Sequence, residues 1–324
     1  MKKILIDRPL HEEAFSLLSR EADIIEIYND DWGQLEAALK EVDGVICSAA
    51  LKMTAERIGM SESLQVIGRP GAGYDSVDVD AATKSGIPLV YTPDGPTESV
   101  AEHVILLMLM CAKKINSVQD VFKSKGDFGV RTRVTGMELE GKTLGLAGFG
   151  RIGRRAGSIA SAGLGMNVLV FDPFLTAEDL PEGYKLTRDL GNLSANSDFI
   201  SLHMPFNDET RGIFGKEMFA KMKPEGVLIN TARGGVVDEE AMIDALKEGR
   251  IGGAGLDVYG KEPPDPDNPL LKFENVVATP HLSSFTDDGK RKMGVMVVQG
   301  VLDVLNGKEP ECMVNRGIWN SRRK

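Results

Sequence analysis

Three glycines near the middle of the chain have a spacing that suits contact between backbone and phosphate. Gly148, Gly150 and Gly153 form a G-x-G-x-x-G pattern directly after the apolar run TLGLA and at the start of a helical pattern. The first glycine permits a tight turn, the second lets the backbone approach a pyrophosphate, and the third lets the helix pack closely against the strand. Free N–H groups at the start of that helix would bind the phosphates. The pattern therefore predicts a dinucleotide-binding site.

An acidic residue beyond this motif indicates which dinucleotide would bind. The apolar run MNVLVF ends at Asp172, nineteen residues after Gly153. A carboxylate at that point accepts a hydrogen bond from a ribose 2′-hydroxyl and repels a 2′-phosphate. We therefore expect NAD rather than NADP, the alternative for Asp172 being a solvated strand end.

Four charged or titratable residues follow other apolar runs that we expect to be parallel strands. Arg233 follows VLIN, Asp257 follows AGL and His281 follows VVA, while Glu262 lies in a proline-flanked loop five residues after Asp257. The carboxyl ends of parallel strands meet at one edge of a sheet, so these residues should share the edge of the glycine motif. Each alone could be a surface charge, a cap or a packed imidazole. Their coincidence with a dinucleotide motif makes Arg233 and His281 candidates for chemistry.

The other histidines differ in setting. His203, in SLHMP, also follows an apolar run and is expected to line the cofactor. His103 lies on an apolar helical pattern and is interpreted as structural, and His11 gives no indication of function.

These positions require strands and helices in alternation. Runs rich in Val, Ile and Leu, such as KILI, DGVIC, LQVIG and IPLVY, alternate with helical patterns over residues 11–20, 35–41 and 77–85. A second series carries the glycine motif, with helices starting at Arg151, Lys216 and Asp238 and a last helix over residues 286–306. Alternation of this kind predicts the α/β class, with parallel sheets and crossover helices.

A break in the pattern marks a domain boundary. Residues 91–99, YTPDGPTES, contain two prolines and a glycine. We expect Thr97 or Ser99 to cap the long helix that follows, with Glu102 placed three residues after Ser99 as in a capping box.

Composition restricts the class of partner and compartment. The chain has 324 residues, of which 42% are hydrophobic, and this is enough for about two domains. Its 48 acidic and 38 basic residues give a net charge of −10, which argues against nucleic acid or an anionic membrane as a partner. The apolar stretch over residues 104–112 is shorter than the roughly 20 residues of a spanning helix, and no signal peptide is visible. Three dispersed cysteines, Cys47, Cys111 and Cys312, argue against a disulfide framework or zinc site, and we expect a cytoplasmic protein.

Five ordered segments together resemble the NAD-dependent D-2-hydroxyacid dehydrogenase family, in particular the branch that holds D-3-phosphoglycerate dehydrogenase and glyoxylate/hydroxypyruvate reductases. The segments are LEGKTLGLAGFGRIGRR, SLHMPFNDETRGIFG, MKPEGVLINTARGGVVDEEAMIDAL, GAGLDVYGKEPP and VVATPHLSS. The resemblance implies two Rossmann-like parallel-sheet domains with a cleft between them. It assigns residues 1–98 and 286–324 to a flavodoxin-like substrate domain and residues 99–285 to an NAD-binding domain.

The resemblance also implies roles for individual residues. His281 would be the general acid, Glu262 would favour its protonated form, and Arg233 would hold the substrate's carboxylate and carbonyl oxygen. The implied substrate-binding residues are Arg69, Gly71, Ala72 and Gly73, in the glycine loop GRPGAGYDSVD, with Arg233 and His281. The implied cofactor-binding residues are Gly148, Gly150, Arg151, Ile152, Gly153, Asp172, His203, Met204, Pro205, Thr231, Ala232, Asp257, His281 and Ser283. No metal is implied.

The substrate is less constrained than the reaction. Phosphoglycerate dehydrogenases usually carry an arginine where this chain has Cys47, although Lys52, Arg69, Arg131 and Arg133 could supply compensating charge. We therefore expect reduction of a small unphosphorylated 2-keto acid, such as hydroxypyruvate or glyoxylate, to a D-2-hydroxy acid with NADH. The alternative within the family is D-3-phosphoglycerate dehydrogenase.

Two further expectations concern binding partners. The apolar helix near Val104 lies in the region that the family uses for a two-fold dimer, so we expect a homodimer. A non-enzymatic alternative is an NAD(H)-sensing, corepressor-like binding protein, which the retained Arg, Glu and His residues disfavour.

Overall fold

The chain forms two compact units that do not coincide with two consecutive halves of the sequence. A computed structural model describes residues 1–28 and 31–324. The first unit comprises Met1–Thr97 and Ser284–Lys324, and the second comprises Glu98–Ser283. Among the described residues, no helix combines the length and the apolar character needed to cross a bilayer.

Strands and helices alternate along most of the chain. The strands are β1 (Lys2–Ile6), β2 (Ala22–Glu26), β3 (Gly44–Ile46), β4 (Val66–Arg69), β5 (Leu89–Tyr91), β6 (Thr143–Ala147), β7 (Asn167–Phe171), β8 (Lys185–Thr187), β9 (Phe199–Leu202), β10 (Val227–Asn230), β11 (Gly253–Leu256) and β12 (Val276–Ala278). The helices are α1 (Glu12–Ser19), α2 (Trp32–Leu39), α3 (Ala55–Gly59), α4 (Val79–Lys84), α5 (Thr97–Ala112), α6 (Ile115–Lys125), α7 (Arg151–Leu164), α8 (Leu190–Asn196), α9 (Lys216–Lys221), α10 (Glu239–Lys247) and α11 (Asp287–Leu305).

The first unit is built on a five-stranded sheet in the order β2-β1-β3-β4-β5, with every pair parallel. Its central strands are covered on both faces, and for this reason Ile4, Leu5 and Ile6 are all fully buried. The C-terminal helix α11 packs against β3, β4 and β5 and contributes buried Val297 and Val301 to this core. The first unit therefore contains both ends of the chain.

The second unit is built on a seven-stranded sheet in the order β12-β11-β10-β9-β6-β7-β8, again with every pair parallel. Every residue of β9, β10 and β11 is buried, as expected for strands covered on both faces. The chain leaves β6 towards β7 on one side and later returns to β9 on the other. The sheet thus has its topological switch point between β6 and β9.

The α/β class with two parallel sheets, predicted from the sequence, is confirmed. The last helix also has the predicted extent, because Thr286 caps its start and Asn306 follows its end.

The predicted cap of the long helix is wrong. Since α5 already begins at Thr97, directly after Pro96, both Thr97 and Ser99 lie in its first turn and neither precedes it. A proline fits directly before the helix, because a backbone N–H there would have no carbonyl partner within the helix. Strand β8 was not among the predicted strands.

We predict that Gly68→Ala destabilises the first unit. A Cβ at Gly68 would lie 2.6 Å from Val301 Cγ2 and 2.8 Å from Val297 Cγ2, so α11 would have to move away from β4. Overpacking of this kind costs about 1 to 3 kcal/mol of unfolding free energy, measurable by urea denaturation. Gly59→Ala is the matched control, because a Cβ there meets nothing within 4 Å. Equal unfolding free energies for the two variants would contradict this packing.

Candidate active site

Five strand ends of the second unit lie level with one another. The register pairs Ala147 with Leu202, Leu202 with Asn230, Asn230 with Leu256, and Leu256 with Ala278. The residues that follow these strands therefore line up along one edge of the sheet. They are Gly148, His203, Thr231, Asp257 and Thr279.

Two glycines of the motif are required by close contact between loops. Gly148 has φ +98°, and a Cβ on it would lie 2.9 Å from the carbonyl of His203. A Cβ on Gly153 would lie 2.5 Å from the Gly148 oxygen. The turn after β6 is therefore pressed against the end of β9 on one side and against α7 on the other, with no space for a side chain.

Gly150 differs from these two glycines. It precedes α7 without a side-chain cap, and a Cβ on it would meet nothing within 4 Å. The first N–H groups of α7 thus have open space before them, with Arg151 exposed and Ile152 half-buried beside the turn. A helix start of this form binds phosphate groups.

Asp172 is anchored to the glycine turn. Its Oδ2 accepts a hydrogen bond from the Phe149 N–H at 2.9 Å, and its Oδ1 accepts one from the Phe174 N–H at 3.0 Å. An ionised carboxylate has about four acceptor sites, so these two bonds orient it and leave capacity for a hydroxyl.

Two buried polar atoms at the same edge indicate that the site is built for a ligand. His203 Nε2 and Thr231 Oγ1 are buried and make no hydrogen bond with the described residues. Burial lowers the pKa of His203 to about 4, so its imidazole is neutral near pH 7. Buried polar atoms of this kind usually have a partner, and a polar ligand would supply it. Together with the open helix start, these atoms fit a dinucleotide. Met204, Pro205 and Ala232 adjoin them in the chain.

Glu262 and His281 form a hydrogen-bonded pair. His281 Nδ1 lies 2.7 Å from Glu262 Oε2, and the Tyr259 N–H donates to Glu262 Oε1 at 3.1 Å. Both side chains remain about one-third exposed, at 37% for His281 and 36% for Glu262. The pair is therefore held in place but open to a substrate.

The charge state of Glu262 follows from its neighbours. Burial raises the pKa of its carboxyl, but the hydrogen bond and charge of His281, the Tyr259 N–H and the charge of Arg233 together hold that pKa below its usual range. An ionised Glu262 accepts from Nδ1, so that nitrogen carries a proton. Nε2 is then the ring nitrogen available for proton exchange.

Arg233 belongs to the same group through its loop. A Cβ on the next residue, Gly234, would overlap the carbonyl of Tyr259, so the Arg233 loop lies directly against the loop that carries Glu262. Asn230 holds the Arg233 loop at its base, where its side chain donates to the Arg233 oxygen at 3.0 Å. The structure thus brings the three predicted catalytic residues, Arg233, Glu262 and His281, together.

The turn that carries His281 is supported by Asp257. His281 has φ +51°, a left-handed backbone conformation that is uncommon for a non-glycine residue. Its N–H donates to the backbone carbonyl oxygen of Asp257 at 2.8 Å. The fully buried Asp257 carboxylate accepts from the N–H groups of Leu282 and Ser283, each at 2.9 Å. Asp257 and Ser283, expected from the family resemblance to contact the cofactor, therefore also shape this turn.

Sequence reasoning did not identify three supporting residues. Tyr259 donates through its N–H to Glu262 and through its hydroxyl to the Thr279 oxygen at 3.1 Å. Thr279 Oγ1 lies 2.6 Å from Asp257 Oδ1, and His103 Nε2 lies 3.7 Å from the same oxygen. The available signals were the hydroxyl residue directly after β12 and a histidine on an otherwise apolar helix.

The remaining expected substrate residues lie in the first unit. Arg69 is the last residue of β4, and its guanidinium donates to the Pro70 oxygen and packs against Gly71. Gly71 has φ +140°, and its N–H donates to Thr92 Oγ1 at 2.7 Å. Ala72 and Gly73 follow and are half-buried.

Comparison with known proteins gives consistent matches. Residues 105–283 match the family model described as D-isomer specific 2-hydroxyacid dehydrogenase, NAD binding domain. A D-3-phosphoglycerate dehydrogenase of Methanocaldococcus jannaschii is 40% identical over 97% of this chain and 60% of its own length. A hydroxypyruvate reductase of Thermotoga maritima is 38% identical over 94% of this chain and 98% of its own length. A glyoxylate reductase crystal structure from Paecilomyes thermophila superposes with a TM-score of 0.88 at 28% identity, covering 98% of this chain and 99% of its own.

The chain spans about 60% of the length of the first phosphoglycerate dehydrogenases that it matches. It spans nearly the whole of the hydroxypyruvate and glyoxylate reductases.

We predict that His203 makes the ligand-free protein lose stability in mild acid. Its pKa is about 4 in the folded protein, against about 6.5 in an unfolded chain, so the unfolded state takes up the proton first as pH falls. The neutral imidazole therefore makes its full contribution to the free energy of unfolding above about pH 6.5. This contribution, at most about 3 kcal/mol, is lost as the pH falls towards 4. Denaturation from pH 7 to 4 should show a steeper decline for the wild type than for His203→Gln. Parallel curves would contradict the buried neutral imidazole.

Proposed function

Because the chain belongs to the D-isomer specific 2-hydroxyacid dehydrogenase family, we propose that it reduces a small 2-keto acid to a D-2-hydroxy acid with NADH. The observation that carries this proposal is the 2.7 Å hydrogen bond between Glu262 and His281, beside Arg233, at the edge where the NAD-binding domain presents its glycine turn.

The proposed chemistry needs one hydride and one proton. NADH, which the glycine turn and Asp172 would hold, would supply the hydride to the carbonyl carbon when bound. His281 donates a proton from Nε2 to the carbonyl oxygen, so that the C=O group becomes CH–OH. The ionised Glu262 holds Nδ1 and stabilises the positive charge that His281 must carry before the transfer.

Arg233 would orient the substrate. A guanidinium offers a planar fork of donors that matches a carboxylate and an adjacent carbonyl oxygen, a geometry that an ammonium group does not reproduce. Its charge is one of the influences that hold the pKa of Glu262 below its usual range, which supports this role. We propose that Arg69 and the amides of residues 71–73 also bind the substrate carboxylate.

Hydroxypyruvate or glyoxylate is the proposed substrate class. The supporting observation is Cys47, which stands where we expect an arginine in phosphoglycerate dehydrogenases. This residue is fully buried, and burial raises the pKa of its thiol to about 12, so it offers a phosphate no charge. Matches along nearly the whole length of hydroxypyruvate and glyoxylate reductases support the same class. The 40% identity to a phosphoglycerate dehydrogenase keeps 3-phosphoglycerate oxidation as the second candidate.

We further propose that the protein forms a homodimer through the region of α5 and α6. Leu106 is 47% exposed, Phe122 is 48% exposed and Phe128 is 62% exposed. The rings of Phe122 and Phe128 lie 6.3 Å apart, and α6 has no buried residue despite its apolar side chains. A second copy would cover this surface. We also propose a reducing compartment such as the cytoplasm, supported by three cysteines that form no disulfide bond among the described residues.

A panel of keto acids tests the proposed activity. We expect NADH oxidation to be fastest with hydroxypyruvate or glyoxylate, and slower with NADPH because Asp172 repels a 2′-phosphate. His281→Ala should lower kcat by about 10² to 10⁴ while the Kd for NADH, measured by fluorescence, changes little. A highest kcat/KM for 3-phosphohydroxypyruvate would select the second candidate. Tight NADH binding with no turnover on any keto acid would indicate a nucleotide sensor.

Dimer formation has a separate prediction. The wild type should elute as a dimer in gel filtration at micromolar concentration, and Phe122→Asp with Phe128→Asp should elute as a monomer because two charges would be buried against the partner. Leu271→Asp is the control, since Leu271 is also exposed, at 40%, but lies outside this surface. A monomeric wild type would refute the dimer.

A further inference from the structure

A buried histidine outside the proposed proton transfer contacts the turn that carries His281. His103 lies on α5 and is only 8% exposed. Its Nε2 is 3.0 Å from Thr279 Oγ1 and 3.7 Å from Asp257 Oδ1. The mechanism above gives His103 no task, although a polar ring on an apolar helix costs burial energy unless it is satisfied.

The direction of the hydrogen bonds follows from a count of protons. Thr279 Oγ1 lies 2.6 Å from Asp257 Oδ1, and a hydroxyl has a single proton to donate. The carboxylate can only accept, so that proton goes to Asp257. His103 must then donate from Nε2 to Thr279. Burial lowers the pKa of His103, partly offset by the charge of Asp257, which is consistent with a neutral ring that carries its proton on Nε2.

This chain of donors ends at the His281 turn. Asp257 receives the Thr279 hydroxyl and the Leu282 N–H on one oxygen and the Ser283 N–H on the other. Its backbone oxygen receives the His281 N–H. The left-handed backbone of His281 is energetically unfavourable for a residue with a side chain, and surrounding contacts must hold it in place.

We propose that His103 is a positioning residue, which donates to Thr279 and thereby keeps Asp257 oriented to hold residues 279–283 in the conformation that presents His281 to Glu262. The inference rests on the proposed function for its catalytic consequence, but not for its structural one. The two consequences can be measured separately.

Four variants test the hydrogen bond. His103→Leu removes the donor, whereas His103→Gln keeps an N–H donor at a similar reach without a titrating ring. Thr279→Val removes the hydroxyl between His103 and Asp257. Ser194→Ala is the matched control, because Ser194 is fully buried in the second unit and loses one hydrogen bond, to the Leu190 oxygen, away from this turn.

Two measurements separate structure from activity. Hydrogen exchange of a peptide spanning residues 279–285 reports the turn directly in the protein without substrate. Steady-state kinetics with NADH and the best keto acid reports the consequence for His281. We expect His103→Leu to exchange faster in this peptide and to lose about ten- to a hundredfold in kcat, a larger change than in KM or in the Kd for NADH. His103→Gln should recover most of both properties.

The double variant His103→Leu with Thr279→Val should be no slower than Thr279→Val alone, since both changes interrupt one chain of bonds. The proposal would be overturned if His103→Leu had the same exchange and the same kcat as Ser194→Ala. A His103→Gln variant as impaired as His103→Leu would also overturn it, as would faster exchange with unchanged kcat. If the wild type turns over no keto acid but His103→Leu still exchanges faster in this peptide, the result would support the positioning role and refute the proposed function.

Discussion

Level strand ends are the constraint on which the candidate site depends. Five neighbouring parallel strands, β6, β9, β10, β11 and β12, stop at the same height in the sheet, so the residue that follows each one enters the same edge. Parallel pairing requires long crossover connections, most of them through helices, which separate these residues widely in sequence while the sheet brings them together. A shift of one residue in any strand would turn its side chains to the opposite face and carry its loop out of line.

Contacts between loops then make this edge rigid. The turn at Gly148 lies against His203, and the turn at Gly234 lies against Tyr259, in both cases with no room for a Cβ. Loops that touch through backbone alone have few alternative arrangements. The glycine turn and the Arg233 loop are therefore held before any ligand arrives, which reduces the entropy lost on binding. Backbone N–H groups that donate to the carboxylates of Asp172 and Asp257 add to the same effect.

The sequence was informative where a signal is local. Alternating runs predicted the α/β class, and the glycine spacing with its flanking strands predicted the turn that the structure contains. The strand ends located Arg233, Glu262 and His281, although their catalytic roles stay predictions. Contacts between distant residues were beyond this reasoning, because nothing local links His103 to Thr279, which are 176 residues apart. The start of α5 was misjudged because the capping pattern at Ser99 competes with the proline that precedes Thr97. The short strand β8 was missed because its sequence, KLT, has a single apolar residue and lacks the apolar run that marks the equally short β3, β5 and β12.

The discontinuity of the first unit has a consequence for biosynthesis. The second unit is one continuous stretch, whereas the sheet of the first unit obtains α11 only from residues near the C-terminus. On the ribosome, β1 to β5 therefore emerge long before the helix that covers one of their faces. Until translation passes residue 305, the apolar surface around Ile4, Ile46 and Val66 lacks its native cover, so the nascent chain exposes an aggregation-prone face during this interval.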